Sequence, residues 1–220
     1  MIHMVRRGLP QALLFDLDGT LLDSEPLWLR AETAVLAEFG MPWNSEYGEI
    51  LKGGSLRLAS EQMVSLTGAQ TTAAVVLDML VSRMATYYRE EGAPWFPGVP
   101  QMLSQLAEIP KAIVTSSYRG LVDAALGSLP QGAIDLSVSG DEVSKSKPDP
   151  QPYLQAAEML GVEIRDCCIF EDSLPGLRSG CAAGARVVII GNTAAPENCD
   201  QQLPHLSQVS LLDEAFLRTL

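Results

Sequence analysis

A chain of 220 residues with 47% apolar and 19% charged side chains can bury a sizeable core, which excludes a disordered or a fibrous protein. Fifteen basic against twenty-seven acidic residues give a formal charge of -12, opposing attraction to nucleic acid or to an anionic membrane, so an anionic substrate needs local positive charge. No apolar run reaches a membrane span, and the N-terminal MIHMVRRGLP lacks the long apolar stretch of a secretory signal, so a cytoplasmic protein is expected.

In chain order, the first predicted strand is Ala12–Phe15. Helical spacing follows: Trp28, Ala31, Val35 and Phe39 within 25–39, then Ala59, Met63 and Leu66 within 56–66, then Val76, Leu80, Met84 and Tyr87 within 72–89. Gly40 with Pro42 stops the first of these helices, and the prolines of APWFPGVP close the helical region. Further strands are predicted at Ala112–Thr115, Ile134–Val138, Cys167–Phe170 and Val187–Ile190, with helix-like segments between the later ones. This alternation predicts an α/β fold, a doubly wound parallel sheet with a helical-bundle domain inserted after the first strand. The expected division is 1–23 and 95–220 for the α/β core and 24–94 for the insert. The four cysteines, without CxxC spacing, read as small core residues in a reducing compartment. Two histidines near the chain ends leave little material for a Ser-His-Asp triad or a histidine-rich zinc site.

Ligands of open α/β sheets sit beyond the carboxyl ends of the strands. The first strand delivers Asp16, Asp18 and Thr20 there; the second delivers Thr115, Ser116 and Ser117; the fourth delivers Glu171 and Asp172. A DxD alone also suits a strand leaving the core, and acids at 171 and 172 also suit a helix N-terminus. Together, converging carboxylates repel one another unless a cation sits among them, and an all-oxygen donor set suits Mg²⁺. The hydroxyls and N–H groups of 115–117 suit phosphate oxygens, and Lys147 in KSKPDP supplies positive charge.

DLDGT, VTSS, SKPDP and FEDS occur in the order of the haloacid dehalogenase superfamily, which the chain resembles over nearly its whole length. DSEP and LKGG are similar to the subgroup of β-phosphoglucomutases and sugar-phosphate phosphatases, and the helical insert resembles that superfamily's cap. The resemblance implies Asp16 as nucleophile, Asp18 as general acid and base, Thr115 and Lys147 on the transferring phosphate, and Mg²⁺ held by Asp16, the Asp18 carbonyl and Asp172, with Glu171 near it or as an outer partner. Lys52, Gly53 and Arg57 resemble a substrate-facing loop of the cap. It implies a phosphatase acting on a small phosphorylated metabolite: a sugar phosphate, phosphoglycolate or a nucleotide monophosphate. The alternatives are a β-phosphoglucomutase-like mutase and a non-catalytic binder of phosphate or of a partner on the same fold. Trp28, read as hinge packing, stands where the mutases carry a histidine and so favours the phosphatase. A monomer or weak dimer is expected.

Overall fold

In a computed structural model, which describes residues 8–51, 55–68, 70–197, 199 and 203–220, the apolar runs form a parallel sheet. Its strands are β1 (Ala12–Phe15), β2 (Lys111–Val114), β3 (Leu136–Val138), β4 (Cys167–Glu171), β5 (Arg186–Ile190) and β6 (His205–Leu206), in the order β3-β2-β1-β4-β5-β6. Strands covered on both faces are apolar along most of their length, and β1, β2 and β4 are buried throughout. Successive side chains alternate between the faces. Leu13 and Phe15 join Ile113, Cys168, Phe170 and Val188 on one face, whereas Ala12 and Leu14 join Ala112, Val114, Ile169 and Val187 on the other.

Between β1 and β2 lie α1 (Glu25–Glu38), α2 (Ser45–Leu51), α3 (Leu56–Thr67) and α4 (Ala73–Glu91). Their buried residues Val35, Met63, Val76, Leu80 and Met84 are continuous with the apolar cluster on the Phe15 face of the sheet. Ser55 and Thr72 cap α3 and α4 by accepting from the N–H groups of Leu58 and Val75. The two connections to the sheet run side by side, with Leu22 bridged to Trp95 and the Asp23 N–H donating to the Pro94 carbonyl at 2.9 Å. After them come α5 (Val99–Gln105), α6 (Arg119–Leu126), α7 (Gln151–Leu160), α8 (Leu174–Ala183) and α9 (Glu214–Leu217). No helix of the described residues is long and apolar enough to cross a membrane.

The expected elements hold with adjustments. The second strand starts one residue earlier, at Lys111, whose buried ammonium donates to the carbonyls of Leu106 and Ile109 just beyond α5. The third starts at Leu136 rather than Ile134. The cysteines divide: Cys167 and Cys168 are buried and free in β4, but Cys181 of α8 and Cys199 form a disulfide, correcting their reading as core thiols. The fold lays the segment after β5 against α8, which brings their Cα atoms to 5.6 Å.

Candidate active site

The chain winds from β1 outward to β2 and β3, then crosses back to build β4, β5 and β6 on the other side of β1. The crevice at such a reversal lies beyond the carboxyl ends of β1 and β4, where Asp16 and Glu171–Asp172 emerge.

Lys147 reaches this crevice from the loop before α7, its peptide bond to Pro148 being cis. Its Nζ donates to Asp16 Oδ1 at 2.6 Å, to Glu171 Oε1 at 2.5 Å and to the Val114 carbonyl at 2.8 Å. Glu171 is fully buried with both oxygens engaged: Oε1 accepts also from the Tyr153 hydroxyl at 2.8 Å, and Oε2 accepts from the Ser173 N–H and hydroxyl at 3.2 and 3.0 Å. Its carboxylate packs over Gly176, where a Cβ would stand 1.8 Å from Oε1. Asp172 accepts from the Thr20 hydroxyl at 3.0 Å, and its carbonyl accepts from the Thr193 hydroxyl. Gly19 has φ +82°, and a Cβ there would lie 2.1 Å from Asp172 Oδ2, so the DxDGT turn requires glycine twice over.

Asp18 has different surroundings. Its Oδ1 accepts from the Ser24 hydroxyl at 2.6 Å and from the Trp28 indole N–H at 3.3 Å, and its Oδ2 accepts from the Ser117 hydroxyl at 2.6 Å. Ser24 stands at the N-cap of α1 without capping it, its hydroxyl being spent on Asp18. Tyr88 of α4 is buried nearby, where burial and the Asp18 charge push its hydroxyl up. Trp28 is therefore more than hinge packing: it joins α1 to the loop of Asp18.

The second strand end departs in part from expectation. Ser117, expected on phosphate, directs its hydroxyl to Asp18 and its N–H to Thr115 Oγ1 at 3.0 Å. Thr115 is buried at the crevice, and Ser116 is half-buried with its carbonyl against Gly140, where a Cβ would approach it to 2.3 Å. Arg57 does not join the cluster; it is exposed on α3 and pairs with Glu61 at 3.1 Å. Lys52 and Gly53 lie outside the described residues. Sequence reasoning did not single out Ser24, although it lies in DSEP, nor Tyr153 and Thr193, each a single hydroxyl with no motif around it.

Burial pushes the Asp16 carboxyl well above its ordinary range, with Lys147 opposing and Glu171 and Asp172 reinforcing the rise. Burial, with Glu171 beside it, pushes Asp172 up to about 6. Burial works to lower the Lys147 ammonium, but Asp16 and Glu171 more than offset it and hold the lysine protonated. One oxygen from each of Asp16, Glu171 and Asp172 lies within 4.8 Å of the others. An all-oxygen set whose negative charge exceeds what one ammonium can balance suits a hard divalent cation.

These features place a crevice lined by acids and one lysine at the switch point of a doubly wound sheet. The chain belongs to the haloacid dehalogenase-like hydrolase family, whose sequence model matches residues 13–190. It is 33% identical over 217 residues to the plasmid protein CbbY of Cupriavidus necator, covering 89% of this chain and 85% of that protein. It is 30% identical to hexitol phosphatase A of Escherichia coli, covering 92% of this chain and 89% of that protein. Its fold matches that of a mutant CbbY from Rhodobacter sphaeroides crystallised with xylulose-(1,5)bisphosphate, with a TM-score of 0.76 at 25% identity over 92% of this chain and 96% of that one. The chain is accordingly a phosphoric monoester hydrolase.

Proposed function

We propose that this protein is a Mg²⁺-dependent phosphatase that hydrolyses a small phosphorylated metabolite, a sugar phosphate foremost, through an aspartyl-phosphate on Asp16. The observation that carries this reading is the contrast between two aspartates two residues apart: Asp16 is buried against Lys147, and Asp18 is held by hydroxyl and indole donors from both the sheet side and the helical insert. The first arrangement suits a nucleophile whose charge must be screened, the second a group that handles a proton.

Asp16, the Asp18 carbonyl and Asp172 would hold the ion, while Glu171, its oxygens already taken by Lys147, Tyr153 and Ser173, acts behind them by fixing the lysine. Bound there, Mg²⁺ supplies the positive charge that lets an anionic phosphate approach an anionic carboxylate. An Asp16 oxygen attacks phosphorus; the bond to the substrate's alcohol oxygen breaks, and Asp18 gives that oxygen its proton. Asp18, now ionised, takes a proton from water as the water oxygen attacks phosphorus and the bond to Asp16 breaks, freeing phosphate and restoring Asp16. The Thr115 hydroxyl, the Ser116 N–H and Lys147 hold the non-bridging oxygens.

Helices α1–α4, within 24–94, act as the cap over a core of 1–23 and 95–220, closing about the paired connections at Leu22 and Trp95. Trp28 supports hydrolysis over phosphomutase chemistry, because an indole N–H only donates and cannot trade a proton with Asp18 as a histidine can. Phosphate release from sugar phosphates, phosphoglycolate and nucleotide monophosphates, with Mg²⁺ and with chelator, tests the reading. The expected result is metal-dependent release by the wild type and none by Asp16→Asn. Activity of that variant above about a hundredth of wild type would remove Asp16 as nucleophile.

A further inference from the structure

The helix that brings Trp28 to Asp18 also carries a second polar side chain on the same face, the acid Glu32. Glu32 lies one turn beyond Trp28, so the two share a face of α1. That face points inward: Leu27, Ala31, Val35 and Leu36 are the buried residues of α1, and positions 28 and 32 fall within their arc. Helix side chains lean toward the N-terminus, so the Glu32 side chain leans back along α1 toward Trp28, whose indole N–H reaches Asp18. Glu32 is half-buried. Among the described residues no hydrogen bond or ion pair reaches it, the arginine of α1, Arg30, being spent on Glu91 at 2.8 and 2.9 Å. Burial and the nearby Glu25 push its carboxyl up to about 7.

A half-buried carboxylate without a partner is costly, and its position says what would relieve that cost. If the substrate's leaving oxygen sits at Asp18, its carbon chain must pass beneath Trp28. One helical turn, about 5–6 Å, is roughly four carbon–carbon bonds further along that chain. We propose that Glu32 is a specificity residue of this phosphatase, accepting hydrogen bonds from hydroxyl groups of the alcohol portion while Trp28 supplies an apolar wall beside it. The site then selects monophosphates of polyhydroxylated alcohols, and a second phosphate placed against Glu32 is repelled. This rests on the phosphatase reading above and gives its substrate a chemical class.

The test compares wild type, Glu32→Gln and Glu32→Asp on a hexitol 6-phosphate, the corresponding hexitol 1,6-bisphosphate and p-nitrophenyl phosphate, which has no hydroxyl to recognise. Wild type is expected to prefer the monophosphate to the bisphosphate. Glu32→Gln should lower kcat/KM for the monophosphate about tenfold or more, the scale of a hydrogen bond to a charged group. It should raise kcat/KM for the bisphosphate and leave p-nitrophenyl phosphate within about twofold. Glu32→Asp should recover part of the monophosphate activity. Equal losses on all three substrates, or no loss on any, would overturn the assignment of Glu32 while leaving the phosphatase standing. Failure of folded wild type to hydrolyse even p-nitrophenyl phosphate would instead overturn the phosphatase reading.

Discussion

Two residues of one loop, Gly19 and Asp18, connect the sequence motif to the geometry of the whole site. Gly19 permits the left-handed turn and also leaves the room that Asp172 occupies, so its two roles can be separated by comparison with a glycine that has only the first. Gly40, just beyond α1, has φ +75° and open space where a Cβ would go. Alanine at either position costs about 1–2 kcal/mol for the left-handed backbone. Only Gly19→Ala also drives a methyl group into Asp172. The expected outcome is that Gly40→Ala keeps the wild-type Mg²⁺ requirement, whereas Gly19→Ala raises it about tenfold or more, the scale of losing a positioned ligand group. Mg²⁺ titrations of phosphate release distinguish them. Matching titrations for the two variants would mean that the close approach of Gly19 to Asp172 has no bearing on the metal.

At the scale of elements, the five longer strands were legible because each is an apolar run bounded by turn residues, and the charged motifs were legible because each follows one of those runs. His205–Leu206 is too short to form a pattern, and α2, with Gly48 inside seven residues, has no apolar period. Lys111 hid the start of β2, since a lysine reads as exposed until the carbonyls that receive its ammonium are in place. Trp28 was legible as a helix residue standing where the mutases carry a histidine; that its indole meets Asp18 is a matter of packing. The pairing of Cys181 with Cys199 was hidden for the same reason, because two residues 18 apart meet only once β5 runs between them. That loop contains Thr193, whose hydroxyl holds the Asp172 carbonyl, so the crosslink braces the segment behind a proposed metal ligand. Closing a loop of this length is worth about 3 kcal/mol. Urea unfolding should therefore show a loss of about that size on reduction, and Cys181→Ser should be equally destabilised and indifferent to reductant. Unchanged unfolding on reduction would mean that the crosslink contributes nothing to the stability of the fold.

For the molecule as a whole, the cluster of acids is a debt carried by the folded state until a cation arrives. Asp172 moves from an ordinary 3.8 to about 6 on folding, and Asp16 moves in the same direction. Between those values the folded protein binds more protons than the unfolded chain, so metal-free stability falls as pH rises through that window. For Asp172 alone the change corresponds to roughly 3 kcal/mol. Glu32, pushed up to about 7, adds a fall of the same sign that does not depend on the metal. Comparing Mg²⁺ with chelator at each pH isolates the cluster, because a divalent ion binds the ionised carboxylates and cancels only their part of the loss. The rise in Tm produced by Mg²⁺ should be larger at about pH 7.5 than at about pH 5, where the acids hold protons in place of the ion. Asp172→Asn should flatten that difference. An equal rise at both pH values in the wild type would place the stabilising ion away from Asp16 and Asp172, and the surplus charge of the site would then have to be answered by the substrate alone.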